Sequence, residues 1–294
     1  MSTDDPVICY CFWGVSNASG YSPAESVITW CLGSEQIAHV SVVFGTLVRR
    51  AGLAPSLVLE PWELSAWIDR KSGLVPIADK TDPQYTPNPK FEVFLIDVLF
   101  MPVDRSVALQ LQEPLLQASQ YQASDASGGV KFNGHEYPGL GLMATDMLAR
   151  PFRAWSSLAS HDVRQHLLVE QEKLKTGGKV QCAQLCVMHL LWVIHLHRTM
   201  HSSKVIAYDA AHVSELRRAL NARTSLTPRA VFDLFANMSN ACTQCQLFVN
   251  VSGEVASGQL SVALSSGRQV QDFRSLVIPY PGVQQTHLPH RFIS

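Results

Sequence analysis

An α+β fold is what this sequence predicts, and three observations predict it. The first hundred residues hold four apolar, β-branched or aromatic runs parted by loops rich in Gly, Pro and Ser. From residue 105 to about 240 the apolar positions recur mostly at helical spacing. The chain of 294 residues is 47% hydrophobic and 16% charged, which supports a large core in one elaborated domain or two small ones.

The elements follow in order. "VICYCFWGV" (7–15) reads as a first strand ended by Gly14 and the loop "SNASGYSP". Ser22-Pro23 with Glu25 starts a short helix, 24–32, because proline is tolerated and acid favoured in a first turn. "IAHVSVVFG" (37–45) is a second strand that puts His39, Ser41 and Val43 on one face and Ala38, Val40 and Val42 on the other. Strands three and four are "SLVLEPW" (56–62) and "KFEVFLIDVLFMP" (90–102), with a loop between them. Residues 105–122 are helical with a break at Pro114, 123–142 are loop-like, and 142–174 return to helical periodicity. A long helix runs from Cys182 to His201, followed by "HVSELRRALNA" and by "TPRAVFDLFANM", which Thr227 caps and Pro228 opens. The tail alternates weakly and suggests a hairpin with turns at "SGE" and "SSGR". The one expected domain break lies near residue 240, giving 1–240 and a β-rich extension, 241–294.

Charge and cysteine usage narrow the function classes. Lys+Arg 23 against Asp+Glu 24 leaves a net charge of -1, with no electrostatic footprint for nucleic acid or an anionic membrane. The apolar run 185–196 is interrupted by His189 and His195 and is shorter than the roughly 20 residues a bilayer requires. No integral membrane segment is therefore expected. An acidic start without a basic n-region leads us to expect no signal peptide. Seven cysteines, at 9, 11, 31, 182, 186, 242 and 245, show no framework spacing. They read as mostly reduced thiols in a cytoplasmic or otherwise intracellular compartment.

The chemistry centres on "GGKVQCAQLCVMHLL" (177–191). A thiol attacks as its thiolate, and unpaired N–H groups at a helix N-terminus favour that charge; Cys182 heads such a helix. Its bland alternative is packing, the role expected of Cys186 one turn deeper. A nucleophilic cysteine needs a base, and the base needs a third group to orient it. His39, opening an otherwise apolar strand, is the candidate base, against the alternative of a satisfied core histidine. Glu60 on the next strand is the candidate third residue, with Glu63 its nearby competitor.

The order of these parts resembles the circularly permuted NlpC-type papain-like cysteine hydrolases, whose bacterial form is the YiiX-like proteins. There a first strand, a short helix and a turn lead into an S/T-H-V-x-I-x-x-G motif, matched here by "AHVSVVFG". A nucleophile follows late at a helix start, matched by Cys182, and "TPRAVFDLF" is similar to the closing T-P-x-x-L element. The resemblance spans residues 7 to about 236. It implies a permuted papain-like fold, a central antiparallel sheet packed on helices, with Cys182 as nucleophile, His39 as base and Glu60 as third residue. Ala38 departs from the usual Ser or Thr, Gln184 stands where acid is frequent, and insertions fall at 76–90 and 123–175. The implied activity is hydrolysis or transfer of a peptide, isopeptide or lipid acyl group without a cofactor or metal. The alternative is a catalytically inactive binding or structural module of the same fold.

Other candidates carry less. Cys242 and Cys245 form C-T-Q-C without a second pair to complete a zinc site, so they read as two thiols. His197 and His201 are one turn apart but lack a carboxylate in the same helix. His189 and His195 read as packing residues. "GLGLMATD" lacks the lysine of a phosphate loop.

Overall fold

The computed structural model describes residues 3–16, 37–69, 72–85, 92–112, 130–132, 135–137, 182–200, 210–221, 226–240 and 248–278. The chain divides into two compact units. The first comprises Met1–Glu63, Val75–Pro102 and Thr227–Gln284, and the second Leu64–Leu74, Val103–Leu226 and Gln285–Ser294. The α+β class holds: a ten-stranded sheet and a two-stranded one accompany several helices. The expected helices at 24–32 and 142–174 lie outside the described residues.

The centre of the first unit is β1 (Thr3–Ser16), with β2 (Ile37–Arg49) on one side and β6 (Glu92–Pro102) on the other, both antiparallel to it. Every side chain from Val7 to Trp13 is buried. A strand covered on both faces reads as a continuous apolar run rather than an alternating one, which is the pattern of "VICYCFW". The full order is β11-β10-β3-β2-β1-β6-β12-β5, where β3 is Ser56–Asp69, β5 Ala78–Asp79, β10 Ser261–Leu264, β11 Gln269–Val270 and β12 Leu276–Ile278. Off this path, β4 (Ser72–Pro76) pairs with β3 and β9 (Val249–Asn250) with β6.

One face of β1 presents Tyr10 and Phe12 to the helix Pro228–Asn240. Tyr10 meets Phe235 edge-on at 5.0 Å between ring centroids, and Phe12 meets Phe232 at 4.9 Å. Phe248 stacks on Phe235 at 5.2 Å and closes the cluster. The helix starts as its sequence dictates. Thr227 Oγ1 accepts the Ala230 amide at 3.1 Å, and Pro228 takes the first helical position.

Several expectations are corrected. Gly14 does not end β1: the strand continues to Ser16. A Cβ at Gly14 would fall 2.8 Å from the side-chain ends of both Phe94 and Ile96, which would have to shift to admit a larger residue. "SGE" is no turn but part of a helix, Val251–Ala256, which Asn250 caps by accepting the Gly253 amide at 2.9 Å. "SSGR" does turn, with Gly267 at φ 88, and joins β10 to β11. Among the described residues, strands beyond 240 join the large sheet instead of standing apart from it. β10 lies parallel to β3, pairing Ser261–Leu264 with Ser56–Leu59, and β12 pairs with β6 and β5. The loop expected between strands three and four contains β5.

In the second unit, helix 105–112 and the helices Cys182–Thr199 and Ala210–Asn221 are described, the last two packed on each other. A small hairpin, β7 (Val130–Phe132) with β8 (His135–Tyr137), occupies a stretch expected to be loop. Among the described residues no helix is long and apolar enough to cross a membrane.

Candidate active site

The face of β1 opposite Tyr10 and Phe12 carries Cys9, Cys11 and Trp13. Register sets Cys11 across from Ser41 and Trp13 across from His39. Residues directly opposite in an antiparallel pair share a face, so His39 and Ser41 lie beside these three, as period-two alternation along β2 requires. The next strand of the sheet is β3, and Glu63 enters this row from it.

The row is polar and wholly sealed. His39, Ser41, Glu63 and Trp13 are all 0% exposed. His39 Nε2 lies 3.2 Å from Glu63 Oε1, and Ser41 Oγ donates to Glu63 Oε2. Trp13 Nε1 donates to Ser41 Oγ at 2.8 Å, reaching diagonally past its own partner. A buried carboxylate is tolerated because each of its oxygens has a polar partner.

The partner of His39 is Glu63, the competitor, and not Glu60. The two glutamates are three residues apart, so a regular strand places them on opposite faces, and only one can share the face of His39. Glu60 is half-buried, and burial pushes its carboxyl above the usual glutamate range. The sequence held the signal in the parity of β3. Reading it required the register between β2 and β3.

Cys182 is the first residue of its helix, as expected, and that first turn contains no acid. Four described cysteines carry reduced thiols: Cys9, Cys11 and Cys186 are buried and Cys182 is half-buried. Burial pushes the Cys9 thiol far above the ordinary thiol range, so Cys9 stays protonated and inert. Cys186 packs one turn deeper, as expected of a small hydrophobe. His39 and Glu63 belong to the first unit and Cys182 to the second.

His189 is buried, and desolvation lowers its pKa to about 3, which keeps it neutral as a packing residue. His197 is buried too. The side chain of His195, and residues His201, Cys242 and Cys245, lie outside the described residues. Comparison with protein-family models, curated proteins and solved structures found no match to this chain.

Proposed function

We propose that this protein is a thiol hydrolase or acyltransferase of permuted papain-like architecture, acting on an amide or ester bond of a peptide, isopeptide or lipid acyl substrate. One observation carries the reading: a strand-borne histidine, His39, is held at Nε2 by the buried carboxylate of Glu63 at 3.2 Å. A second group that fixes tautomer and orientation is what a catalytic imidazole needs. Among the described cysteines Cys182 is the one that is not buried, which supports it as the nucleophile.

The chemistry assigns each group a step. The Cys182 proton passes to a base as Sγ bonds to the substrate carbonyl carbon, and with Nε2 bonded to Glu63 the nitrogen that His39 offers for that role is Nδ1. The carbonyl π pair moves to oxygen, and the Cys182 amide at the helix N-terminus donates to that oxyanion. Collapse of the intermediate expels the amine or alcohol, which takes the proton from the base, and leaves a thioester on Cys182. Water, or an acceptor amine or alcohol, then cleaves the thioester by the same route in reverse. Glu63 stabilises the imidazolium formed in each half. Glu60, the acid that chain order suggests, has no step in this scheme.

A second reading is favoured by the complete burial of His39 and Glu63. A sealed, satisfied pair also serves as a core-specifying contact in an inactive binding module. A carbonyl-electrophile probe that traps nucleophilic thiols separates the two. In the native chain it should label Cys182, with labelling abolished in Cys182→Ala and slowed about 100-fold or more in His39→Ala. Labelling that ignores both substitutions, in variants that retain the native circular dichroism, would leave the binding module.

A further inference from the structure

The buried row in the first unit assigns an owner to each of its protons. An indole Nε1–H can only donate, and that of Trp13 points at Ser41 Oγ, 2.8 Å away. The Ser41 oxygen therefore accepts, and its single proton is directed to its other neighbour, Glu63 Oε2. When ionised, a glutamate carboxyl only accepts. At the remaining contact, Glu63 Oε1 with His39 Nε2 at 3.2 Å, the proton belongs to the imidazole. All four side chains are sealed from solvent.

We infer that Ser41, itself held by Trp13, is a positioning residue that aims the Glu63 carboxylate so that His39 is kept as the Nε2–H tautomer, with its basic lone pair on Nδ1. Either carboxylate oxygen could serve His39 equally if Glu63 were free to rotate. Ser41 removes that freedom by engaging one of them. The device is built from one face of three neighbouring strands, with the donor-only indole at its end fixing the direction of the whole row. The tautomer follows from the contact with Glu63, whereas its consequence for Cys182 rests on the thiol-hydrolase reading above.

The full-length protein with isotopically labelled imidazole nitrogens tests this by NMR, His39 being assigned through its loss in His39→Gln. The native protein should show a protonated Nε2 and an unprotonated Nδ1. Ser41→Ala should shift His39 toward a mixture of both tautomers, and Ser41→Thr, which keeps the hydroxyl, should retain the native pattern. Trp13→Phe removes the indole donor, together with part of the ring, and should give the same drift, which keeps the test decisive if Ser41→Ala does not fold. A native Nδ1–H tautomer, or an Nε2–H tautomer that survives both Ser41→Ala and Trp13→Phe, overturns the inference. Alkylation of Cys182 by iodoacetamide distinguishes this from the catalytic proposal. It should slow about tenfold in Ser41→Ala and recover in Ser41→Thr. A tautomer that responds to Ser41 while alkylation is indifferent to His39→Gln upholds the positioning role and removes the hydrolase.

Discussion

Glu63 bonds to two buried side chains at once, and its energetic weight follows from that. Its removal in Glu63→Ala strands both the His39 ring nitrogen and the Ser41 hydroxyl where water cannot replace the lost partner. Breaking a buried pair in this way costs about 3 kcal/mol or more, far more than the pair itself contributes over an apolar equivalent. Glu60 is half-buried and outside that row, so Glu60→Ala should cost about 1 kcal/mol or less. Denaturant titration of the two variants measures the contrast, and equal losses would contradict the assignment of the acid. The residue scale also explains why the competitor won. Both glutamates sit in a strand-forming run with the right chemistry, and nothing local ranks them. Parity ranks them only once His39 is known to share a face with residue 63.

At the scale of elements, local chemistry governs the helix ends. The Thr227 hydroxyl satisfies one of the amides that the Pro228 helix leaves without an intrahelical partner. Thr227→Ala should therefore lower stability by about 1 kcal/mol, and Thr227→Ser should restore most of it, as read from thermal unfolding. The Cys182 helix carries a different signature. His189 is neutral in the folded protein down to about pH 3 but binds a proton near its ordinary 6.5 once unfolded. Above 6.5 the residue is neutral in both states and contributes no pH dependence. As pH falls from 6.5 toward 3 the unfolded chain gains a proton that the folded chain refuses, so stability is progressively lost. His189→Leu should flatten that part of the acid limb of a stability-against-pH curve, and an unchanged slope would show that His189 is protonated when folded. The helices were legible because a cap, a proline at the first position and a 3.6-residue period all lie within a few residues of one another. The helix Val251–Ala256 was not legible, since its six residues are too few to show a period. Its Asn250 cap was the available clue.

Across the whole molecule, the first unit is assembled from segments distant in sequence. β10 lies against Ser56–Leu59 and β12 against β6, so residues beyond 240 supply strands to a sheet begun near the N-terminus. Arg268 ties the same tail to the loop after β5, with Nε 3.2 Å from the buried Asp79 carboxylate and a further bond to Thr81. A chain ending at residue 240 would expose the edge of β3 and the buried Asp79 together. It should lose cooperative unfolding or aggregate, whereas an independent extension could be removed with the core intact. Size-exclusion chromatography and thermal melting of the truncated chain check this. The sequence by itself determined the cores of the four long strands and the helices from Cys182 to Asn240, where the Thr227 and Cys182 helices begin, and that His39 and Ser41 share a face. These are short-range matters of period, capping and steric preference, and they survive without knowledge of neighbours. The tertiary structure alone decided that Glu63 rather than Glu60 meets His39, that β1 runs through Gly14, and that the tail completes the sheet. Each of these depends on register between strands far apart in the chain, where a shift of one residue exchanges the two faces, and no local pattern encodes that choice.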